Sequence, residues 1–161
     1  MTITYESTIT ADKVNFIRAS VGFRQIHPEQ VQAGLDGSAF VVSAYDQDKI
    51  IGMARLIWDG GSVGLIHDVL ILPEYRIHGI ESEMISRILA FLRNKLKPGF
   101  GIQVDVKAWN DQGELYDSLG FQLSTQERRG TPMHICLTDQ IELTDKMFEQ
   151  GKYGTKQQNG V

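Results

Sequence analysis

The chain has 161 residues, of which 42% are hydrophobic and 22% charged, and its formal net charge is −4. This size suits one domain with its own core, and the acidic balance argues against a protein that binds nucleic acid. The single cysteine, Cys136, excludes an intrachain disulfide and favours a reducing compartment. Because no signal-peptide pattern and no apolar run of roughly 20 residues is found, we expect a cytoplasmic protein without a membrane partner.

The first third of the chain predicts one strand and two helices. "TITYES" alternates apolar and polar residues, as a half-buried strand does. In "TADKVNFIRAS", Thr10 is a suitable N-cap for a helix that follows. Pro28 suits the first turn of a second, shorter helix that begins near His27.

Three consecutive strands are predicted in the middle of the chain. They are "AFVVSAY", "KIIGMARLIW" and "VGLIHDVLIL", joined by the turn sequences "DQDK" and "DGGS". The third strand is apolar on both faces, which is typical of an interior strand. His67 and Asp68 are neighbours on it, so strand alternation predicts that their side chains point to opposite faces and do not act as a pair.

The clearest element is a helix from about residue 79 to 97. Its apolar stripe consists of Ile80, Met84, Ile85, Ile88, Leu89, Leu92 and Leu96. "IQVDVKA" then predicts a strand, and "NDQGELYDSLGF" a short helix with an Asp111–Glu114 capping box and Gly120 in the left-handed C-terminal position. "TPMHICL" predicts the last strand.

These elements together predict a mixed α/β fold with a central mixed sheet of six to seven strands flanked by helices. One domain is expected over residues 1–140, and the polar segment 141–161 is expected to be a partly mobile tail. The strand–helix–strand unit over residues 63–107 should be a right-handed parallel crossover.

The turn before the long helix is a candidate anion site. A helix N-terminus offers unpaired N–H groups and a partial positive charge, here over residues 77–82. Gly79 allows an anion to approach the backbone. The sequence contains neither "GxxxxGK[ST]" nor "GxGxxG" after the first strand, so a P-loop and a dinucleotide fingerprint are excluded.

Two segments, "VLILPEYRIHGIESEMISRIL" and "AWNDQGELYDSLGF", resemble the acetyl-CoA motif and the following small helix of the GNAT superfamily of N-acetyltransferases. Arg76, Gly79 and Glu81 occupy the three defined positions of the motif [Q/R]-x-x-G-x-[G/A]. The second segment is matched by Asn110, Tyr116, Gly120 and Phe121. The resemblance covers about residues 3–138, since the order of strands around the motif also agrees.

The resemblance implies direct transfer of an acetyl group from acetyl-CoA, as co-substrate, to a primary amine of a small molecule. It implies a coenzyme site made by Val69, Ile71, Arg76, Ile77, His78, Gly79, Ile80, Glu81, Ser82 and Asn110. It also implies Tyr116 as the acid that protonates the CoA thiolate, with packing against Phe121 as the alternative. His67 is the candidate base, with a structural histidine, or water as proton carrier, as alternatives.

Glu81 departs from the family pattern, which has a small residue at this position. Its carboxylate either points outward or lies near the phosphates, where like charges about 4 Å apart repel by up to roughly 4 kcal/mol. A glutamate in a first helical turn is itself favoured by about 0.3–1 kcal/mol. This departure motivates the alternative function of a GNAT-fold module that binds acyl-CoA or another protein without turnover.

The acceptor is not identified by the sequence. By resemblance its pocket lies over residues 20–37 and 124–132, where acidic and basic residues give conflicting signals: Glu29, Asp36 and Glu127 against Arg24, Arg128 and Arg129. A protein substrate and a homodimer are both compatible with the family. No metal site is expected, because His27, His78, His134 and Cys136 lack ligand spacing.

Overall fold

A five-stranded sheet organises the structure, a computed structural model that describes residues 2–108 and 112–122. The strands follow one another across the sheet in chain order. They are β1 (Ile3–Glu6), β2 (Phe40–Asp46), β3 (Lys49–Trp58), β4 (Val63–Ile71) and β5 (Gln103–Val106). The predicted mixed α/β fold is therefore confirmed, with five strands among the described residues. The predicted strand "TPMHICL" lies outside them.

Four α-helices and one 3₁₀ helix connect the strands in the described part of the chain. They are α1 (Ala11–Ser20), α2 (Pro28–Asp36), the 3₁₀ helix Pro73–His78, α3 (Ile80–Arg93) and α4 (Gly113–Ser118). Thr10 caps α1 as predicted, since its Oγ1 accepts a hydrogen bond from the Lys13 N–H at 3.4 Å. None of the helices in residues 2–108 and 112–122 has the length and apolarity that crossing a bilayer requires.

Two helix boundaries differ from the predictions. The long helix ends at Arg93 and not near residue 97, and Leu96 is 45% exposed. Lys97 precedes Pro98, and a residue before proline is disfavoured in helical conformation. In α4 the N-cap is Gln112, so the helix begins one residue later than the predicted capping box requires.

The sheet is antiparallel except at one edge. Strands β1 to β4 pair antiparallel, and β4 pairs parallel with β5, as the predicted crossover requires. The β3–β4 pairing shifts register between Met53 and Arg55. Asp68, on the β4 side of this irregularity, has a φ of +49°. A non-glycine residue in the left-handed region is uncommon and marks a local break of the strand.

The two faces of the sheet are covered differently. On one face α3 packs through its buried apolar residues, which are Ile80, Met84, Ile85, Ile88 and Leu92. On the other face α1 and α2 contribute Val14, Ile17 and Val31 to a second cluster. The sheet therefore holds the irregular segment of β4 between two packed layers, which fixes the position of the side chains at the break.

Candidate active site

The break in β4 brings His67 and Asp68 together. The prediction that they point to opposite faces is wrong: His67 Nδ1 lies 3.1 Å from Asp68 Oδ1. Alternation holds only for regular extended backbone, and the φ of +49° at Asp68 turns its side chain toward its neighbour. A neutral imidazole that donates from Nδ1 to this carboxylate leaves Nε2 as a proton acceptor.

Asp68 is the centre of a charged cluster that the sequence did not indicate. Its Oδ2 accepts a hydrogen bond from Arg55 Nε at 2.6 Å, and its Oδ1 lies 3.4 Å from Arg18 Nη1. Burial alone would raise the pKa of Asp68, but the hydrogen bonds and charges of His67 and Arg55 lower this pKa well below its usual range. Asp68 is therefore ionised and orients His67.

The loop between α1 and α2 closes over this cluster. Asn15, which is buried, donates to the Ile26 carbonyl at 2.7 Å and accepts from the Ile26 N–H at 2.9 Å. Arg18 Nε donates to the Arg24 carbonyl at 3.1 Å, and the Arg18 guanidinium lies 5.6 Å from the Phe23 ring centroid. These contacts fix the loop and position Arg18 and Phe23 beside β4.

A cleft opens where β4 and β5 separate. Among the described residues the parallel pairing ends at Ile66 and Val106, although β4 continues to Ile71. A cavity of about 250 Å³ lies at this separation. Its lining consists of Arg18, Phe23, Ile66, His67, Asp68, Val69, Leu70, Lys107, Gln112 and Tyr116. The two predicted catalytic residues, His67 and Tyr116, therefore face one cleft, together with Val69.

The segment predicted as the phosphate turn connects the 3₁₀ helix to α3. The 3₁₀ helix ends at His78, its cap Gly79 has a left-handed φ of +69°, and α3 begins at the next residue. A Cβ at Gly79 would meet nothing within 4 Å, so the glycine is required by its φ and not by crowding. Arg76, Ile77 and His78 are exposed, and the first N–H groups of α3 follow directly after them.

Ile80, Glu81 and Ser82 form the first turn of α3. Ile80 is buried in the core, while the other two residues are partly buried. The predicted coenzyme residue Ile71 is also 95% buried, at the end of β4. Asn110, the remaining predicted coenzyme residue, lies outside the described residues.

Glu81 is directed at α4. Its Oε1 accepts hydrogen bonds from the Tyr116 hydroxyl at 3.1 Å and from Gln112 Nε2 at 2.9 Å. The sequence analysis considered a Glu81 carboxylate that points outward or lies near the phosphates, and it did not predict this contact with α4. Tyr116 is buried and also packs edge-to-face on Phe121, with ring centroids 5.6 Å apart. Burial, and next the Glu81 charge and hydrogen bond, raise the pKa of Tyr116 well above its usual value.

Sequence reasoning missed five residues of the site: Arg18, Phe23, Arg55, Lys107 and Gln112. Arg18 and Arg55 had a weak signal, since each is a charged residue on a predicted buried element, and such charges are seldom buried unless they are paired. Phe23 was not singled out, although it lies in the segment 20–37 that the resemblance gave as part of the acceptor pocket. Lys107 and Gln112 had no signal, because their place depends on how the end of β5 and the start of α4 converge.

Comparison with known proteins establishes the family. The sequence pattern of the acetyltransferase (GNAT) family matches residues 13–121. The chain therefore belongs to the GNAT family of acetyltransferases, as the two sequence motifs had indicated. A search of curated proteins finds no match.

Solved structures share the fold over most of the chain. A Staphylococcus aureus protein of unknown function, described as "Probable Acetyltransferase", is 26% identical with a TM-score of 0.74, over 84% of this chain and 100% of that one. A GNAT family acetyltransferase from Streptococcus pneumoniae is 22% identical with a TM-score of 0.65, over 86% and 98%. N-acetylglutamate synthase from Neisseria gonorrhoeae, complexed with coenzyme A and L-arginine, is 15% identical with a TM-score of 0.59, over 80% of this chain and 29% of that one.

Proposed function

We propose that this protein is an acetyl-CoA-dependent N-acetyltransferase that acetylates a primary amine of a small molecule by direct attack in a ternary complex. The observation that carries the proposal is the cleft at the separation of β4 and β5. A proton acceptor, His67, and a hydroxyl donor, Tyr116, line this one cleft in a chain of the GNAT family. Amine acetylation needs a proton removed at one end of the reaction and one donated at the other.

His67 serves as the base in this proposal. Asp68 holds the Nδ1 side of the ring, and the His67 side chain is 50% exposed, so Nε2 is accessible to an acceptor amine. The amine transfers a proton to Nε2 while its nitrogen forms a bond to the thioester carbonyl carbon. The backbone N–H of Val69, in the unpaired part of β4, is the proposed donor to the oxyanion that develops on the carbonyl oxygen.

Tyr116 serves at the leaving sulfur. When the C–S bond breaks, the sulfur becomes negative and needs a donor. The Tyr116 hydroxyl has to exchange Glu81 for the sulfur to fill this role, because its proton is directed at Glu81. A phenol with a raised pKa is a weaker acid than a thiol, whose pKa is about 8.5. We therefore assign Tyr116 a hydrogen bond that strengthens as the thiolate forms, and the released thiolate takes its proton from solvent.

The turn around Gly79 is the proposed site for the coenzyme phosphates. Its support is the left-handed glycine, the exposed Arg76 and His78, and the free end of α3, all directly after β4. The unpaired side of β4 from His67 to Ile71 is the proposed edge along which the pantetheine arm pairs with Val69 and Ile71.

Calorimetric titration with acetyl-CoA, followed by thiol release with a panel of amines, tests the proposal. We expect a dissociation constant in the micromolar range, and release of one thiol per acetylated amine. Binding that is undetectable up to millimolar acetyl-CoA would overturn the proposal while leaving the fold untouched.

One observation favours a second function. Glu81 stands where the family has a small residue, and it engages the hydroxyl that the reaction requires. In a module that binds acyl-CoA without turnover, the Tyr116 hydroxyl would stay hydrogen-bonded to Glu81 at all times. Tight binding of acetyl-CoA together with no thiol release from any amine would support this second function over the first.

A further inference from the structure

Counted over the residues that the structure describes, the acceptor end of the cleft carries an excess of positive charge, although the full sequence has a net charge of −4. Arg18 and Lys107 line the cleft, and Arg55 contacts Asp68 from outside the lining. Three cations thus face one carboxylate, which leaves a surplus of two. If Glu81, which contacts the lining residue Tyr116, is added, the surplus is still one. His67 adds to the surplus whenever it is protonated.

The carboxylate of Asp68 is already engaged. Its Oδ2 accepts from Arg55 and its Oδ1 faces both Arg18 and His67. A substrate ammonium group would therefore compete with three cationic or polar partners for this carboxylate. Asp68 consequently offers little attraction for a simple cationic amine, even though it is the acidic residue among the described residues that line the cleft.

Arg18 retains donor capacity. Its bonds to the Arg24 carbonyl and to Asp68 use two of the five N–H groups of a guanidinium. Within the part of the chain that the structure describes, neither Arg18 Nη2 nor Lys107 Nζ has a hydrogen-bond or ion-pair partner. Guanidinium groups bind carboxylates through two parallel hydrogen bonds, and the lysine adds a point charge.

We propose that the acceptor is an amino-acid-like molecule, in which a carboxylate bound by Arg18 and Lys107 lies close to the amine that is acetylated. This inference rests on the proposed acetyltransferase function. Phe23, together with Val69 and Leu70, lines the same cleft and provides an apolar wall for the rest of the molecule. The positive surroundings also favour the neutral, nucleophilic form of the amine, since like charge disfavours an ammonium ion.

Matched acceptors test the inference. We expect L-phenylalanine to be acetylated with a kcat/KM at least tenfold above those of phenethylamine and L-phenylalaninamide, which lack the carboxylate. Phosphoethanolamine separates a carboxylate site from a general oxyanion site. The inference is overturned if phenethylamine or L-phenylalaninamide is as good a substrate as L-phenylalanine or a better one, or if phosphoethanolamine is preferred to L-phenylalanine.

Two variants connect the preference to the named residues. Arg18→Gln and Lys107→Met should each reduce the ratio of kcat/KM for L-phenylalanine to kcat/KM for phenethylamine at least threefold, mainly by raising KM for L-phenylalanine. Lys107 is exposed and unpaired among the described residues, so its variant tests the site even where loss of Arg18 perturbs folding. Arg87→Gln is the matched control, because Arg87 pairs with Glu83 on the surface of α3. Unchanged ratios in both test variants would remove these residues from acceptor binding.

Binding of products separates this inference from the proposed function. With CoA present, N-acetyl-L-phenylalanine should bind at least tenfold more tightly than N-acetylphenethylamine. Equal binding overturns the anionic subsite, whether or not the protein turns over. Preferential binding without any acetyl transfer would instead keep the subsite and reject the acetyltransferase activity.

Discussion

Two carboxylates at the candidate active-site cleft have different partners: Asp68 lines the cleft, and Glu81 contacts the lining residue Tyr116. Asp68, in the break of β4, is surrounded by Arg55, Arg18 and His67. Glu81, in the first turn of α3, accepts from the Tyr116 hydroxyl and the Gln112 amide. The first set of contacts lowers the pKa of the carboxylate itself, while the second raises the pKa of the phenol. From this difference we expect Asp68 to act mainly on stability and Glu81 mainly on turnover.

The largest expected effect is on stability. Asp68→Asn should lower the free energy of unfolding by about 3 kcal/mol, because it leaves the mostly buried Arg55 and Arg18 without their counter-charge. The isosteric change Glu81→Gln should cost about 1 kcal/mol or less, since the amide oxygen still accepts from Tyr116. Urea unfolding of the two variants measures the contrast. Equal losses would remove the distinction between the two carboxylates.

A histidine variant and a pH series refine this result. His67→Gln removes one partner of Asp68 that is half exposed, so it should cost under about 1 kcal/mol. The pKa of Asp68 is lower in the folded chain than in the unfolded chain, where an aspartate has a pKa of about 3.9. Its stabilising contribution is therefore present above that pH and is lost as the pH falls further, so the wild type and Asp68→Asn should converge in acid.

The comparison also shows what the sequence could predict. Every described strand was predicted within about two residues, because apolar alternation and turn residues report on burial directly. The cluster around Asp68 was not predicted, since one residue with left-handed φ reverses the alternation on which the prediction rested. The bond from Tyr116 to Glu81 joins residues 35 apart in sequence, and no local pattern reports such a contact.

The second prediction concerns turnover. Tyr116→Phe should lower kcat by about 100-fold, the lower end for losing one positioned hydrogen-bond donor to a developing negative charge, and should change the dissociation constant of acetyl-CoA much less. Tyr45→Phe is the matched control, because Tyr45 is also buried and hydrogen-bonded but lies on the α1 face, next to Lys13. Full activity in the Tyr116 variant would remove this residue from the mechanism and favour its packing role against Phe121.

The smallest expected effect separates the roles of Glu81. Glu81→Ala should tighten acetyl-CoA binding only about twofold. The Glu81 carboxylate is held against α4 and screened by water, so it repels a coenzyme phosphate by only roughly 0.5 kcal/mol. The same variant releases the Tyr116 hydroxyl from a hydrogen bond of about 1 kcal/mol, so kcat should rise by up to about fivefold.

Glu83→Ala, two residues further along α3 and exposed, controls for lost negative charge in α3. Tenfold tighter coenzyme binding in the Glu81 variant alone would mean that this carboxylate opposes the phosphates directly. A fall in kcat would mean that Glu81 positions Tyr116 for the reaction. A rise in kcat for Glu81→Ala, with kcat of Glu83→Ala unchanged, would show that Glu81 restrains the Tyr116 hydroxyl. In the Glu81 variant this hydroxyl no longer has to leave the carboxylate before it reaches the sulfur.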